Sequence, residues 1–484
     1  MGRGGARAQR ARGGGARRRR RQHGGHRGAV RVARGARRAR AGDAVRRRVL
    51  VLCYFYPPLA GGGVHRVLGF TRGLPAHGWD CTVVCAGEED YWVTDPTLAA
   101  RVPEGTEVIR VAGGSALSAW LRVRRGDRGR RPGGTFSALR RLADWWLLPD
   151  SYAGWARRAR AVAARRLAAG GVDALLSSSP PDSVHLAAAP LARRFGVPWV
   201  ADFRDPWIGL AFRTPPTAWH RARQAAMERR VLEGADLVLV ASRTHAESLG
   251  RAPGPPPARV EHLPNGYEPA AAAAAAGAAA APADGAAFTL VFTGTLSQMP
   301  DAEVVFEALR DLLARRPEAR GRLRVEIAGP YDSNYEDRAA ALGLGDVVAF
   351  LGPVTHARSR ALQRGADLLL LWKPRGAPTM VPGKLYEYLD AGRPVLAILP
   401  PGDEAARLAA DGGAERVDPG DRAALAAVLE RRWRAWADGA PSVAPRPAWL
   451  DDHARPRLAA RLAGLLDGLA AGAAAPRPGR GGRP

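Results

Sequence analysis

From Arg48 onward the chain alternates short apolar runs with stretches whose apolar residues recur at helical spacing. RVLVLCYFYPP, bounded by Pro, reads as a buried parallel strand, VHRVLGFTRGLPAHG as a helix closed by Gly78, and DCTVVCAG as a strand again. The alternation continues through DALLSSS, a helix over HLAAAPLARRFG, PWVADFRD, a long helix ending at VLEGA, and DLVLVAS. A second series runs FTLVFTG, AEVVFEALRDLLARR, LRVEIAGP, YEDRAAALG, VVAFLG, ARSRALQRG, ADLLLLW, KLYEYLDAG, RPVLAILPP and DEAARLAAD. Strand and helix alternating in this way predict βαβ units, so the expected class is α/β, with two doubly wound Rossmann-like parallel-sheet domains in tandem. Such domains bind ligands at the carboxyl ends of their strands.

The expected domains are an Arg/Gly-rich tail over 1–47, a first Rossmann-like domain over 48–268, and an Ala-rich linker over 269–287. A second Rossmann-like domain over 288–445, a helical segment over 446–470 and a Pro/Gly/Arg tail over 471–484 complete the division. Charge is uneven: the first 48 residues hold 18 Arg and one acid, and so supply most of the net +27. That tail has almost no apolar side chain to bury, and it reads either as an anchor to an anionic membrane surface or as an upstream start translated in error. Nucleic acid is a weaker partner for it, because no aromatic interleaves the arginines. No apolar run reaches the roughly 20 residues a bilayer span needs. Cys53, Cys81 and Cys85 fall in or beside apolar runs, without metal-ligand spacing, and read as reduced core residues of a cytoplasmic protein.

Four stretches carry candidate chemistry. Gly61, Gly62 and Gly63 sit between the first strand and the first helix, either as a plain turn or as a loop cradling a phosphate. PWVADFRDPW runs a strand into Asp202, Arg204 and Asp205, which either buttress a loop as ion pairs or face a substrate. SSSPPDSVH offers hydroxyls, with His185 read as capping or packing a helix. The fourth holds both lysines of a chain with 71 arginines: Lys373 ends a strand, and Lys384 falls in the first turn of the helix in VPGKLYEYLDAG. A cation there opposes the helix dipole unless an anion such as a diphosphate sits beside it. Glu387, three residues on, either pairs with Lys384 on the surface or accepts hydrogen bonds from a sugar's vicinal hydroxyls. No Asp-x-Asp, His/Cys cluster, G-x-S-x-G or Walker A is found, so no metal or cofactor is expected.

With these residues in view, the chain resembles the GT-B glycosyltransferases of family 4, over 48 to about 440. YFYPPLAGGGVHRVLGFTRGLPAHGWDCTVV, SSSPPDSVHLAA, WVADFRDPW, PNG at Pro264–Gly266 and PGKLYEYLDAGRPVLAI carry the likeness. The resemblance implies a GT-B fold with a central cleft, and a retaining transferase that takes a nucleoside-diphosphate sugar in the second domain. The implied acceptor is a glycan, a lipid-linked sugar or a small molecule, held by the first domain at the inner face of the membrane or in the cytoplasm. Glu387 matches the second Glu of the family's E-x(7)-E motif, whose first position is Thr379 here. Gly294 and Thr295 stand where the family carries G-R-L, so the implied phosphate cation passes to Lys384, with Lys373 or Arg375. Gly383 and Leu385 complete the implied donor site, while Asp202, Arg204 and Asp205 are implied on the catalytic side, one Asp orienting the acceptor hydroxyl. A nucleotide-sugar epimerase or hydrolase, or an inactive sugar-nucleotide-binding scaffold, are the alternatives on the same fold.

Overall fold

The computed structural model describes residues 46–88, 94–113, 130–131, 145–210, 215–251, 257, 259–269, 287–296, 302–332, 334–373 and 376–474. The Arg/Gly-rich tail up to Val45, all but the ends of the Ala-rich linker, Arg375 and the tail beyond Ala474 lie outside them.

Seven parallel strands make the first sheet, in the spatial order Glu107–Val111, Trp79–Ala86, Arg47–Cys53, Ala174–Ser179, Trp199–Phe203, Leu237–Val240, Val260–His262. The second sheet has six, in the order Val348–Gly352, Leu323–Ala328, Phe288–Thr293, Leu368–Trp372, Val395–Ile398, Glu415–Val417. Both are doubly wound, and each reverses direction beside its first strand, which opens a crevice at the carboxyl ends. The central strands are mostly apolar because helices cover both faces; in the first sheet Leu50 and Leu52 face one side and Val49 and Val51 the other, and in the second Leu368 and Leu370 face one side and Leu369 and Leu371 the other. Alternation in the sequence located ten of these strands. The short edge strands Glu107–Val111, Val260–His262 and Glu415–Val417 were not foreseen, since they are partly exposed and carry too few apolar residues to stand out.

The predicted first helix is Val64–Gly73, followed by a 3₁₀ turn Leu74–His77 and left-handed Gly78 at φ 80°. The expected C-terminal segment is a longer helix, Arg455–Ala474, and it packs on the first sheet although it follows the second domain. Leu458, Leu462 and Leu466 pack with Phe70, Leu74 and Trp79, and Trp79 Nε1 donates to Asp467 at 3.0 Å. Gly73 lets this helix approach closely, for a Cβ there would strike Ala459. All three cysteines are buried free thiols, and burial pushes Cys81 and Cys85 up to about 12. Among the described residues no helix is long and apolar enough to cross a membrane.

Candidate functional site

The first domain's side of the crevice begins at the end of strand Arg47–Cys53, where the loop to Gly63 precedes helix Val64–Gly73. Gly61 has φ 116°, a conformation that favours glycine, and a Cβ on Gly63 would collide with the Arg204 guanidinium. The glycine run and the DFRD stretch therefore meet. Arg204 is held in place by Asp205, at 2.9 Å, and both side chains are partly exposed.

Asp202 is placed differently from the expectation of a substrate-facing charge. Its carboxylate is fully buried and accepts from Arg66 Nε at 3.0 and 3.1 Å and Nη2 at 2.7 Å, and from Ser178 Oγ at 2.7 Å. Arg66 also donates to the Pro264 carbonyl at 2.9 Å. With its acceptors filled and no route to solvent, Asp202 ties the first helix to the sheet. His185 packs, as expected: Ser177 Oγ lies 2.8 Å from its Nδ1, Phe203 stacks on the ring at 4.4 Å, and burial lowers it to about 3.

In the second domain, strand Phe288–Thr293 ends in Gly294 and exposed Thr295. A Cβ on Gly329 would strike the Gly294 carbonyl, so two backbones cross closely here. Helix Gly383–Asp390 starts at Pro382 with no side-chain cap and no acid in its first turn. Lys384 therefore stands at a helix start that no side chain caps, where the Leu385 N–H already donates to the Pro382 carbonyl at 3.1 Å, and its own side chain is 28% exposed. Its Nζ lies 2.8 Å from Glu387 Oε2 and 3.3 Å from Ser359 Oγ. Glu387 is buried, accepts from Gln363 Nε2 at 3.1 Å, and through Gln363 reaches Thr293 Oγ1 at 2.8 Å. Arg360 donates to its carbonyl at 2.7 Å and pairs with Asp390. Burial pushes the Glu387 carboxyl up, but Lys384 and the surrounding cations outweigh it and hold it well below the usual carboxylate range. Leu385 is buried beneath this cluster, and Gly383 faces Asn265 of the first domain.

Lys373 departs from its predicted role. Its ammonium meets the carbonyls of Ala377 at 2.7 Å and Met380 at 2.8 Å and the Asp403 carboxylate at 2.5 Å, with side-chain exposures of 3% and 2% for the pair. All three N–H groups are engaged, which leaves none for a diphosphate. Lys373 pins the loop that leads to the Lys384 helix. Thr379 lies on that loop, and its carbonyl accepts from Ser242 Oγ of the first domain at 2.5 Å.

Further contacts close the crevice. Glu404 caps helix Arg243–Arg251 across it, accepting from the backbone N–H of Arg243 at 3.0 Å and Thr244 at 2.8 Å. Burial raises the Glu404 carboxyl, and these backbone bonds bring it below its ordinary value. A cavity of about 520 Å³ lies beside this cap, lined by Arg243, Thr244, Glu247, Arg407 and Arg416. On the Lys384 side, the His65 and His356 rings meet at 4.5 Å, and the backbone N–H of His356 donates to the Asp95 carboxylate at 2.8 Å. Burial lowers both histidines, against the pull of Glu387, which raises them. Arg455 lies 3.9 Å from Glu387 and 3.8 Å from Glu268, and Glu268 pairs with Arg72 at 2.7 Å and Arg101 at 3.0 Å.

His65, Arg66, Glu268, His356 and Arg455 were absent from the expected site. Arg66 carried a readable signal, being a cation in the first turn of a helix without acids, the same anomaly that singled out Lys384. The others gave none, for their partners lie far away in sequence.

Two doubly wound sheets facing across one crevice define the GT-B architecture. Residues 61–266 match the glycosyl transferase 4-like domain, and residues 287–434 match the glycosyl transferases group 1 domain. The chain belongs to this glycosyltransferase family. A D-inositol 3-phosphate glycosyltransferase 2 of Catenulispora acidiphila is 30% identical over 258 residues, 49% of this chain and 58% of the relative. A D-inositol 3-phosphate glycosyltransferase of Thermobispora bispora is 31% identical over 156 residues, 30% of this chain and 36% of that protein. The chain thus matches little more than half the length of the first of these relatives and about a third of the second. Among solved structures, Anabaena HepE in complex with UDP and glucose aligns with TM-score 0.55 at 15% identity, over 87% of this chain and 100% of that one. WaaG, a glycosyltransferase involved in lipopolysaccharide biosynthesis, aligns with TM-score 0.55 at 16% identity, over the same shares. At these identities the likeness is one of fold.

Proposed function

We propose that this protein is a retaining, metal-independent glycosyltransferase that moves a sugar from a nucleoside-diphosphate sugar to a cell-surface polysaccharide, glycolipid or related acceptor. The observation that carries the reading is Lys384, a partly exposed ammonium at the uncapped start of helix Gly383–Asp390, backed by buried Glu387. In this reading the diphosphate lies against the helix N–H groups and Lys384 Nζ, with the ribose within reach of Glu387. As the bond from the anomeric carbon to phosphate breaks, negative charge gathers on the departing diphosphate, where Lys384 and the helix dipole stabilise it. The acceptor oxygen bonds to the same face of the sugar, and its proton passes to the departing phosphate oxygen. Asp202 takes no part, being locked to Arg66. Asp205 and Arg204, beside Gly63, are left to orient the acceptor. The UDP bound by HepE agrees with this donor class, and the named activity of the Catenulispora relative agrees with glycosyl transfer.

The test is a thermal-shift panel of nucleoside diphosphates and nucleotide sugars. One nucleotide class is expected to raise the melting temperature of the wild type, by an amount that grows with ligand concentration. Lys384→Gln and Glu387→Gln are expected to abolish that rise. A shift that survives both substitutions removes the donor site from this helix. Thr379 and Thr295, which stand where the family pattern has Glu and Arg, favour a second reading, a nucleotide-sugar-binding protein without transfer. A nucleotide-dependent shift with no release of nucleoside diphosphate in any acceptor screen would select it.

A further inference from the structure

Helices Ala153–Ala168, Ser183–Phe195 and Ala218–Gly234 lie side by side on the first domain. Together they hold 11 Arg and two Glu, so this layer is strongly basic. In a doubly wound domain the helices run against the strands, which puts their starts at the crevice end. Asp150, just before the first helix, accepts from the backbone N–H of Ser183 at the start of the second, at 2.9 Å.

At this end three indoles stand together in solvent: Trp145 is 51% exposed, Trp146 81% and Trp219 63%. Among the described residues only Leu351 and Val443 are other large apolar side chains so exposed, so the cluster is not a random scatter. His220 organises it. Its ring lies 5.3 Å from that of Trp145 and 4.9 Å from that of Trp219. Its Nε2–H donates to the Trp145 carbonyl at 3.2 Å, while Nδ1 accepts from Thr217 Oγ1 at 2.7 Å. Arg221 and Arg223, exposed within about one turn of Trp219, pair with no carboxylate among the described residues.

Indoles settle at the headgroup level of a bilayer, with the ring body in apolar surroundings and the N–H in the wet layer, and unpaired arginines are drawn to anionic lipid. We propose that this corner of the first domain docks on an anionic lipid bilayer, with Trp146 and Trp219 in the headgroup layer and Arg221 and Arg223 on the lipid phosphates. The proposal uses none of the Arg-rich first 45 residues and does not depend on the transferase reading. Because the cluster lies at the carboxyl ends of the strands, docking there brings the crevice beside the membrane.

The test is co-sedimentation of the full chain with phosphatidylcholine vesicles, with and without one part in three of phosphatidylglycerol, together with quenching of tryptophan fluorescence by lipids brominated near the headgroup. The expected result is binding that needs the anionic lipid and is accompanied by quenching. The double substitution Trp146→Ser and Trp219→Ser removes the quenching and weakens the binding. Arg221→Gln and Arg223→Gln, which leave the indoles in place, weaken binding about fivefold for each arginine lost. Anionic-vesicle binding that is equally strong in both double variants and unquenched in the wild type would place attachment in the Arg-rich tail and overturn the proposal. So would no vesicle binding alongside tight binding of single-stranded RNA, the other partner that aromatic and Arg side chains suit.

Discussion

Asp202→Ala is expected to lower the unfolding free energy by about 3–5 kcal/mol, the range for breaking a buried ion pair by removing one partner. The side chains of Arg66 and Asp202 are 4% and 0% exposed, so nothing screens the guanidinium once its carboxylate is gone. The Pro264 carbonyl still accepts from Nη1, but Nε and Nη2 lose the acceptor they share. Ser178 Oγ also loses its partner. The melting temperature should fall by roughly 6–20 °C at about 2–4 °C per kcal/mol for a domain of this size. Asp205→Ala removes a partly exposed pair and is expected to change stability by less than about 1 kcal/mol. Two outcomes decide between a structural and a chemical Asp202. If Asp202→Ala unfolds near the wild-type temperature and loses turnover, the carboxylate touches substrate after all. If Arg66→Met with Asp202→Leu regains most of the stability that Asp202→Ala loses, the pair is a structural tie, because apolar groups of similar volume can replace a buried ion pair at little penalty.

The fold was legible where burial was complete. A strand covered on both faces is mostly apolar, so LVLV and LLLLW announced themselves, whereas the edge strand EVIRV did not. The return of helix Arg455–Ala474 to the first sheet is a fact of tertiary packing. Its leucines gave a helix, and nothing in their spacing named the sheet they would cover. The candidate site was legible in part for a related reason. Lys384 and Glu387 share one helix, and their three-residue spacing is local information. Arg66 and Asp202 are 136 residues apart, and only folding shows that two charges suited to a ligand satisfy each other.

The two lysines make that distinction testable, since one anomaly of composition resolves into two physical roles. Lys384→Gln keeps a donor for Glu387 and removes the charge, at a side chain 28% exposed, so the melting temperature is expected to stay within a few degrees of wild type. The transfer rate per folded molecule, measured with the donor class found by thermal shift, is expected to fall by about 10²–10³, the effect of losing one preorganised group that stabilises developing negative charge. Lys373→Ala should do the reverse. It strands the buried Asp403 carboxylate and frees the Ala377 and Met380 carbonyls, so a loss of about 3–5 kcal/mol in stability is expected. Whatever rate it loses follows from a loosened loop, and a saturating donor concentration that holds the loop in place should restore it in part. For Lys384→Gln, raising the donor concentration is expected to offset only the weakened binding and to leave the rate at saturation low, because the missing charge also acts on the bond being broken. If Lys384→Gln lowers stability as much as Lys373→Ala and leaves the rate per folded molecule unchanged, the ammonium at the helix start is a structural cation, and the diphosphate must be neutralised elsewhere in the crevice.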